Sequence, residues 1–507
     1  ISNSSKMISA QLRSTANDFL SSRKNANNLA DILMLFQGET DNYTPVLLTI
    51  ELIFTELLKR GDLIEKVVPL QPRDTGPESE YKTWLKECYE TAWTGALECM
   101  KQGKSGSRLQ ALVTCCKLMQ AEGKYPLEPP TGHHIPVARL KSIFTILLDS
   151  EISMSTSITR FQEFCEYRDV QLYGLKVLTL FTREPSSKYM QNYLELFDKL
   201  VSLEITTTDV KKTKGRDNNV VEDKVLCNNQ GKNKFQFNPL LARRYVNRAW
   251  SCACRWPLFT DSRTHRRALL LLIERLMPLL YKPQLTTDML CDSLDAGGPI
   301  SMLALQGVSE LVRRHNMDYP DIYDRLYSMF EPEMFATRYK KRLIHIADMF
   351  LSSTNLPETM VAAFAKRLAR LALLANPEDA VGLLELVANL LHRHPGLKSM
   401  ICYSDSRAIM SSDPYIMEET SAIASGAIGS SLWEVASLQQ HWLPALCNAA
   451  NKVLTSNGYH MLHQFPAELY ESEMKKHFKT IEMTFFRPQG MTLQNGERLL
   501  EHWDLIG

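Results

Sequence analysis

The sequence predicts an all-α protein, a HEAT/armadillo-like α-solenoid interrupted by a flexible basic insertion. Three observations carry that prediction. Apolar residues recur at helical spacing through most of the 507 residues, glycine is modest at 22, and alternating strand-like segments are few. Amphipathic segments follow one another across short breaks, which forces neighbours to pack side by side. Successive helical pairs of about forty residues imply HEAT-like stacking, although no repeat survives at a fixed period. A chain of this length exceeds one ordinary core, so several domains or one extended array are required.

Taken in order, residues 1–204 form an N-terminal helical-repeat region. Leu29, Ile32, Leu33, Leu35 and Phe36 give one apolar face, and Val46 to Leu58 gives a second helix ended by Gly61. Residues 71–80 read as a loop, and a helix around Trp84, Tyr89 and Trp93 precedes a Gly-Lys-Ser-Gly-Ser turn and a helix from Leu109 to Ala121. A proline-rich connection then leads to helices at Val137–Leu148, Ser157–Tyr167, Gln171–Leu180 and Lys188–Leu203. Residues 205–238 break the pattern as a basic polar linker. Residues 205–270 hold fourteen Lys or Arg against five Asp or Glu, so local charge is strongly positive while the whole chain sums to only +1. No global attraction to nucleic acid follows from that balance.

A second helical region covers 239–456, with helices at Leu240–Trp250, Arg266–Leu280 and Ser301–Arg314. The strongest periodicity lies in three consecutive segments. Met334 to Leu351 carries an apolar side and, at i, i+3, i+4, i+7, the polar stripe Arg338, Lys341, Arg342 and His345. Pro357 to Ala375 sets Lys366, Arg367 and Arg370 opposite its apolar face. Pro377 to His392 is apolar on most sides and must be covered on most sides. Asn376-Pro377-Glu378-Asp379 is a helix start, with a capping residue, a first-position proline and acids in the first turn. A short helix, an irregular acidic segment (Ser404 to Gly429), one long helix (Ser430 to Leu454) and a mixed tail at 457–507 complete the chain.

Catalytic and metal-binding patterns are weak. Gly103-Lys104-Ser105 lacks the glycine that a phosphate loop needs five residues earlier, where Glu98 stands. His133-His134 and His392-Arg393-His394 have neither an i+4 histidine pair nor a cysteine pair beside them. Eleven cysteines with no C-x-x-C read as buried free thiols in a reducing compartment. No G-x-S-x-G, H-E-x-x-H or glycine-rich dinucleotide turn occurs. No enzyme, cofactor, metal or small-molecule substrate is therefore expected. The longest apolar run, Ala268 to Ile273, is far below the ~18 residues that span a bilayer. No secretory leader is visible, so a nuclear or cytosolic protein is expected. The chain opens at Ile1 and not at a methionine.

Two sets of residues are candidates for binding. Arg338, Lys341, Arg342, Lys366, Arg367 and Arg370 could form one basic patch for RNA phosphates or an acidic partner, or be an ordinary solvated helix face, or lie paired with acids such as Asp348 and Glu358. Asp413, Tyr415, Met417, Glu418 and Glu419, in Asp-Pro-Tyr-Ile-Met-Glu-Glu, form with Trp433 the candidate for docking a partner. Lys211 to Arg216 is a candidate localisation or phosphate-gripping run, or a solvated linker.

The residues from Tyr319 to Pro395 resemble the CCAAT-binding-factor domain family, in its branch of nucleolar complex proteins. FLSSTNLP (Phe350 to Pro357), AAFAKRLARLAL (Ala362 to Leu373) and LLHRHP (Leu390 to Pro395) carry the resemblance, joined by DPYIMEE (Asp413 to Glu419) and SSLWEVASLQQHW (Ser430 to Trp442). It is strong over about 319–454 and faint before residue 300. It departs at Asn355, where the family usually has histidine, and at Trp442, where it usually has tyrosine. The resemblance implies a non-catalytic nucleolar scaffold for the small ribosomal subunit. That scaffold pairs with nucleolar protein 14 and joins the small-subunit processome for 18S rRNA maturation and 40S assembly, with pre-ribosomal RNA close by. A karyopherin-like transport or adaptor solenoid is the rival reading. A sequence-specific DNA-binding regulator is the second rival, although no helix-turn-helix, zinc or basic-zipper pattern supports it.

Overall fold

The computed structural model describes residues 2–36, 43–64, 76–127, 135–148, 152–181, 186–201, 224–227, 235–257, 261–315, 319, 321–337, 339–353, 355–402 and 412–455. These residues form helices and turns, with no strand among them. The chain divides into two compact units, 1–296 and 297–507.

The first unit contains α1 (Ser2–Ser21), α2 (Asn27–Met34), α3 (Thr44–Arg60), α4 (Pro77–Gln102), α5 (Ser105–Lys124), α6 (Val137–Leu147), α7 (Ser155–Phe161), α8 (Arg168–Leu178), α9 (Ser187–Leu200), α10 (Pro239–Ala253), α11 (Ser262–Leu271) and α12 (Thr287–Asp295). Local chemistry sets the ends. Gly61 closes α3 in the left-handed conformation at φ 76°, with its N–H bonded back to the last turn. Pro77 opens α4 beside Glu78 and Glu80. The side chains of Ser186, Asn238 and Asp261 accept from the first free N–H groups of α9, α10 and α11. The Gly103-Lys104 pair turns the chain between α4 and α5. The helix expected at Arg266–Leu280 starts earlier, at Ser262, and loosens into a π-turn over Leu272–Leu276.

Stacking follows a simple register. From α1 to α11, each helix packs against the helix two places on, so odd helices form one layer and even helices the other. This is the two-layer arrangement of an α-solenoid. Phe54, Tyr89, Phe144, Phe161, Tyr193 and Phe197 fill the space between helices. One charged knot lies among them. Arg139 of α6 grips Glu90 of α4 with two bonds (2.7 and 2.5 Å) and Glu122 of α5 at 3.0 Å. Its guanidinium lies over Tyr89 and Trp93. Three helices are tied by one cation held between two carboxylates.

A short piece of the chain is inserted into this unit. Asp169, fully buried at the start of α8, accepts from the N–H groups of Leu226 and Cys227 at 3.0 and 2.9 Å. Arg168 N–H bonds Lys224 O at 2.9 Å. Leu226 and Cys227 are buried as a result. Lys211–Arg216, the rest of the basic stretch up to 223, His133-His134 and the tail after 455 lie outside the described residues.

The second unit holds α13 (Gly298–His315), α14 (Ile322–Ser328), α15 (Lys340–Phe350), α16 (Glu358–Leu374), α17 (Pro377–Arg393), α18 (Trp433–Leu438) and α19 (Pro444–Thr455). Two residues separate α16 from α17, and the pair packs along its length. On its other sides α17 meets α15 and α19, as its all-round apolar character requires. Two expected helices are shorter than their periodicity implies. Met334 to Leu351 breaks into a 3-10 turn, Pro332–Ala336, and α15, because Thr337 is extended. Ser430 to Leu454 breaks into α18 and α19, because Pro444 supplies no N–H to continue the helix.

Candidate interaction surface

The basic residues of α16 are inside the second unit. Twelve residues of α16 are buried, Lys366 and Arg367 among them. The segment from Asp413 to Leu438 lies over the side of α16 that faces away from α17, with α18 and the 3-10 turn Ala427–Gly429 against the helix. The expectation of a solvated basic stripe on this helix is therefore corrected. Periodicity showed two faces, and a covering segment forty residues downstream buries the polar one.

The polar face is neutralised within the unit. Lys366 Nζ is 2.8 Å from Glu434 and 3.0 Å from Asp413, and donates to Ser431 O at 2.6 Å. Arg370 bonds Glu434 through Nε at 2.9 Å and Asp413 through a terminal nitrogen at 3.0 Å. Lys366 and Glu434 side chains have no exposure. Two cations thus meet two carboxylates, and their charges cancel inside a site of low dielectric. Arg367 takes a different route. It donates to the carbonyls of Phe330 (2.7 Å) and Glu419 (3.1 Å) and lies 4.3 Å over the Tyr327 ring. The acids named as alternative partners lie elsewhere: Asp348 pairs with Arg393 at 2.9 Å.

Asp413 and Tyr415 complete the cover. Burial alone would raise the Asp413 carboxyl, but hydrogen bonds from Ser430, Trp433 Nε1, the Tyr415 N–H and Lys366 outweigh it. The group is held well below the usual carboxylate range. Tyr415 is buried, and its hydroxyl meets that of Tyr327 at 3.0 Å. Burial, then the Tyr327 bond, pushes its phenol up. On α15, Lys341 is exposed, while Arg342 is half-buried and bonds Gln306. Arg338 lies outside the described residues. So the structure gathers Lys366, Arg367 and Arg370 with Asp413, Tyr415 and Glu419 in one internal device, which Lys341, Arg342 and Glu418 do not join.

The covering segment exposes several large apolar side chains among polar ones. Ile416, Ile423, Ile428 and Trp433 are each more than two-fifths exposed, and Trp442 just beyond α18 is four-fifths exposed. Glu418 is exposed, Met417 half-buried. Sequence reasoning missed Ile423, Ile428 and Glu434. The signal for Glu434 was available: three cations on a mostly apolar helix need carboxylates nearby. Single isoleucines in an irregular segment gave no periodicity to read.

Among the described residues, no three His, Cys, Asp or Glu gather as metal ligands, and no helix is long and apolar enough to cross a membrane. Cys88, Cys99, Cys115, Cys116, Cys165 and Cys227 are buried, and burial pushes Cys88 and Cys99 up to about 11.

Stacked helices with an internal salt-bridged strap that exposes isoleucines and tryptophans define an α-solenoid protein of the scaffold kind. Comparison with known proteins agrees. Residues 301–450 match the CBF/Mak21 family, and residues 2–187 match the repeats described as nucleolar complex protein 4-like, TPR repeats. The chain is 34% identical to nucleolar complex protein 4 homolog B of Xenopus laevis, over 96% of this chain and 94% of the relative. It is 30% identical to the Gallus gallus homolog and 29% to the Homo sapiens homolog, again over 96% of this chain. The chain belongs to the nucleolar complex protein 4 family, whose place is the nucleolus of the nucleus.

Proposed function

We propose that this chain is a non-catalytic scaffold in ribosome biogenesis, acting in 18S rRNA maturation and 40S assembly. It pairs with nucleolar protein 14 as a heterodimer and enters the small-subunit processome through that pair. The observation that carries this reading is the covering segment 413–442. It is fixed from beneath by Lys366, Arg367 and Arg370, yet presents Ile416, Ile423, Ile428, Trp433 and Trp442 outward. Apolar side chains held on a rigid base resemble the anchors of a protein interface, because little entropy is lost on docking. Direct contact with pre-ribosomal RNA is proposed for Lys341 and, in part, Arg342, since Lys366 and Arg367 have no face left for a phosphate.

The test is co-purification of the two proteins from nuclear extract. Replacing Ile423 and Ile428 with Asp should abolish recovery of nucleolar protein 14 while the melting temperature holds. Undiminished recovery would remove this surface from the interface.

A further inference from the structure

We propose that the odd-helix layer of the first unit is a second docking site, for an acidic peptide segment of a partner protein. The site is separate from residues 413–442 and does not require the pairing proposed above. Two adjoining hollows form it, one between α1 and α3 and one between α3, α5 and Val225-Leu226. Both hollows are lined by Glu51 and Thr55, so they are one groove across three neighbouring helices.

Charge and shape select the occupant. Arg13, Lys59, Arg60, Lys117 and Lys124 line the groove and are exposed. The only carboxylates among its lining residues are Glu51 and Glu56, and each is already engaged: Lys117 holds Glu51 at 2.6 Å and Arg60 holds Glu56 at 3.2 Å. The surplus is positive, so a ligand rich in carboxylates is drawn to it. In the hollow between α1 and α3, Leu48 and Leu52 are 37% and 43% exposed on α3. This aliphatic pair lies in the hollow of Arg13 and Arg60, and the adjoining hollow carries Lys59, Lys117 and Lys124 with one aromatic ring, Tyr125. The groove therefore suits a peptide that combines acids with apolar side chains better than nucleotides, which call for successive flat stacking platforms. The segment 224–227 supplies a precedent within the molecule. At the end of the groove it already lies against α5 and α8, held by its backbone N–H groups and with Leu226 buried. The ligand we propose is seated beside it.

The full chain is used in a peptide-display selection from a random library. The enriched peptides should carry an excess of Asp and Glu interspersed with Leu, Ile or Phe. A fluorescein-labelled peptide of the enriched sequence should bind the chain, more weakly as salt rises. The double variant Lys59→Glu, Lys124→Glu should weaken it about tenfold. Leu48→Ser with Leu52→Ser should weaken it with the salt dependence kept, and circular dichroism checks that both variants stay folded. Ile423→Asp with Ile428→Asp should change nothing, which separates this site from the surface proposed above. Enrichment without acidic excess, or equal binding by both groove variants, would overturn the proposal. So would displacement of the peptide by a single-stranded RNA oligonucleotide as readily as by unlabelled peptide, which would make the groove a phosphate site.

Discussion

Lys366 and Glu434 have left water together, and neither is tolerable there alone. Removing one member of a buried pair leaves an uncompensated charge, so Lys366→Ala should destabilise the protein by about 3–5 kcal/mol in urea unfolding. Lys366→Met combined with Glu434→Gln should cost clearly less than the sum of the single changes. Asp413 adds a pH dependence. Its folded pKa lies below the unfolded value of about 3.9, so its contribution is complete above pH 4 and is lost as pH falls further. Asp413→Asn should therefore flatten the stability profile below pH 4 and leave its slope at neutral pH unchanged. At this scale the sequence was half legible. Residue types and spacing marked Lys366, Arg367, Arg370, Asp413 and Trp433 as special, but their meeting with one another and with Glu434 spans sequence separations of 43 to 68, which no local pattern encodes.

The covering segment is shaped by one glycine. Gly426 has φ 71°, and a β-carbon there would meet the Pro414 carbonyl oxygen at 2.7 Å. Gly426→Ala should cost about 1–3 kcal/mol and raise hydrogen exchange across 412–433 ahead of α17. Helix identity was readable from periodicity through most of the first unit, α12 excepted, because an amphipathic helix buried on one face advertises that face. Helix ends were read less well. Ser430 to Leu454 kept a helical pattern across Pro444, and Met334 to Leu351 kept one across an extended Thr337, since side-chain spacing is blind to a missing backbone bond. Spacing implied that α17 is covered on most sides, and it is. What spacing did not show is that α16 buries its charged side as well, because charges that find partners can be enclosed.

Each unit has its own core, around Phe54, Phe144, Tyr193 and Phe197 in the first and Tyr327, Phe330 and Phe364 in the second. Residues 1–296 and 297–507, made as separate polypeptides, should each unfold cooperatively, as followed by circular dichroism on heating. A non-cooperative melt of either piece would show that its core is incomplete. The salt-bridged strap also has a consequence for synthesis. Glu434 follows Lys366 by 68 residues, so a ribosome adding roughly 5–20 residues per second delivers it about 3–14 s later. Asp413 arrives earlier but is one carboxylate for two cations. Until Glu434 is made, α16 carries charge that its own unit has not yet matched, and is a natural client for chaperones that shield nascent chains.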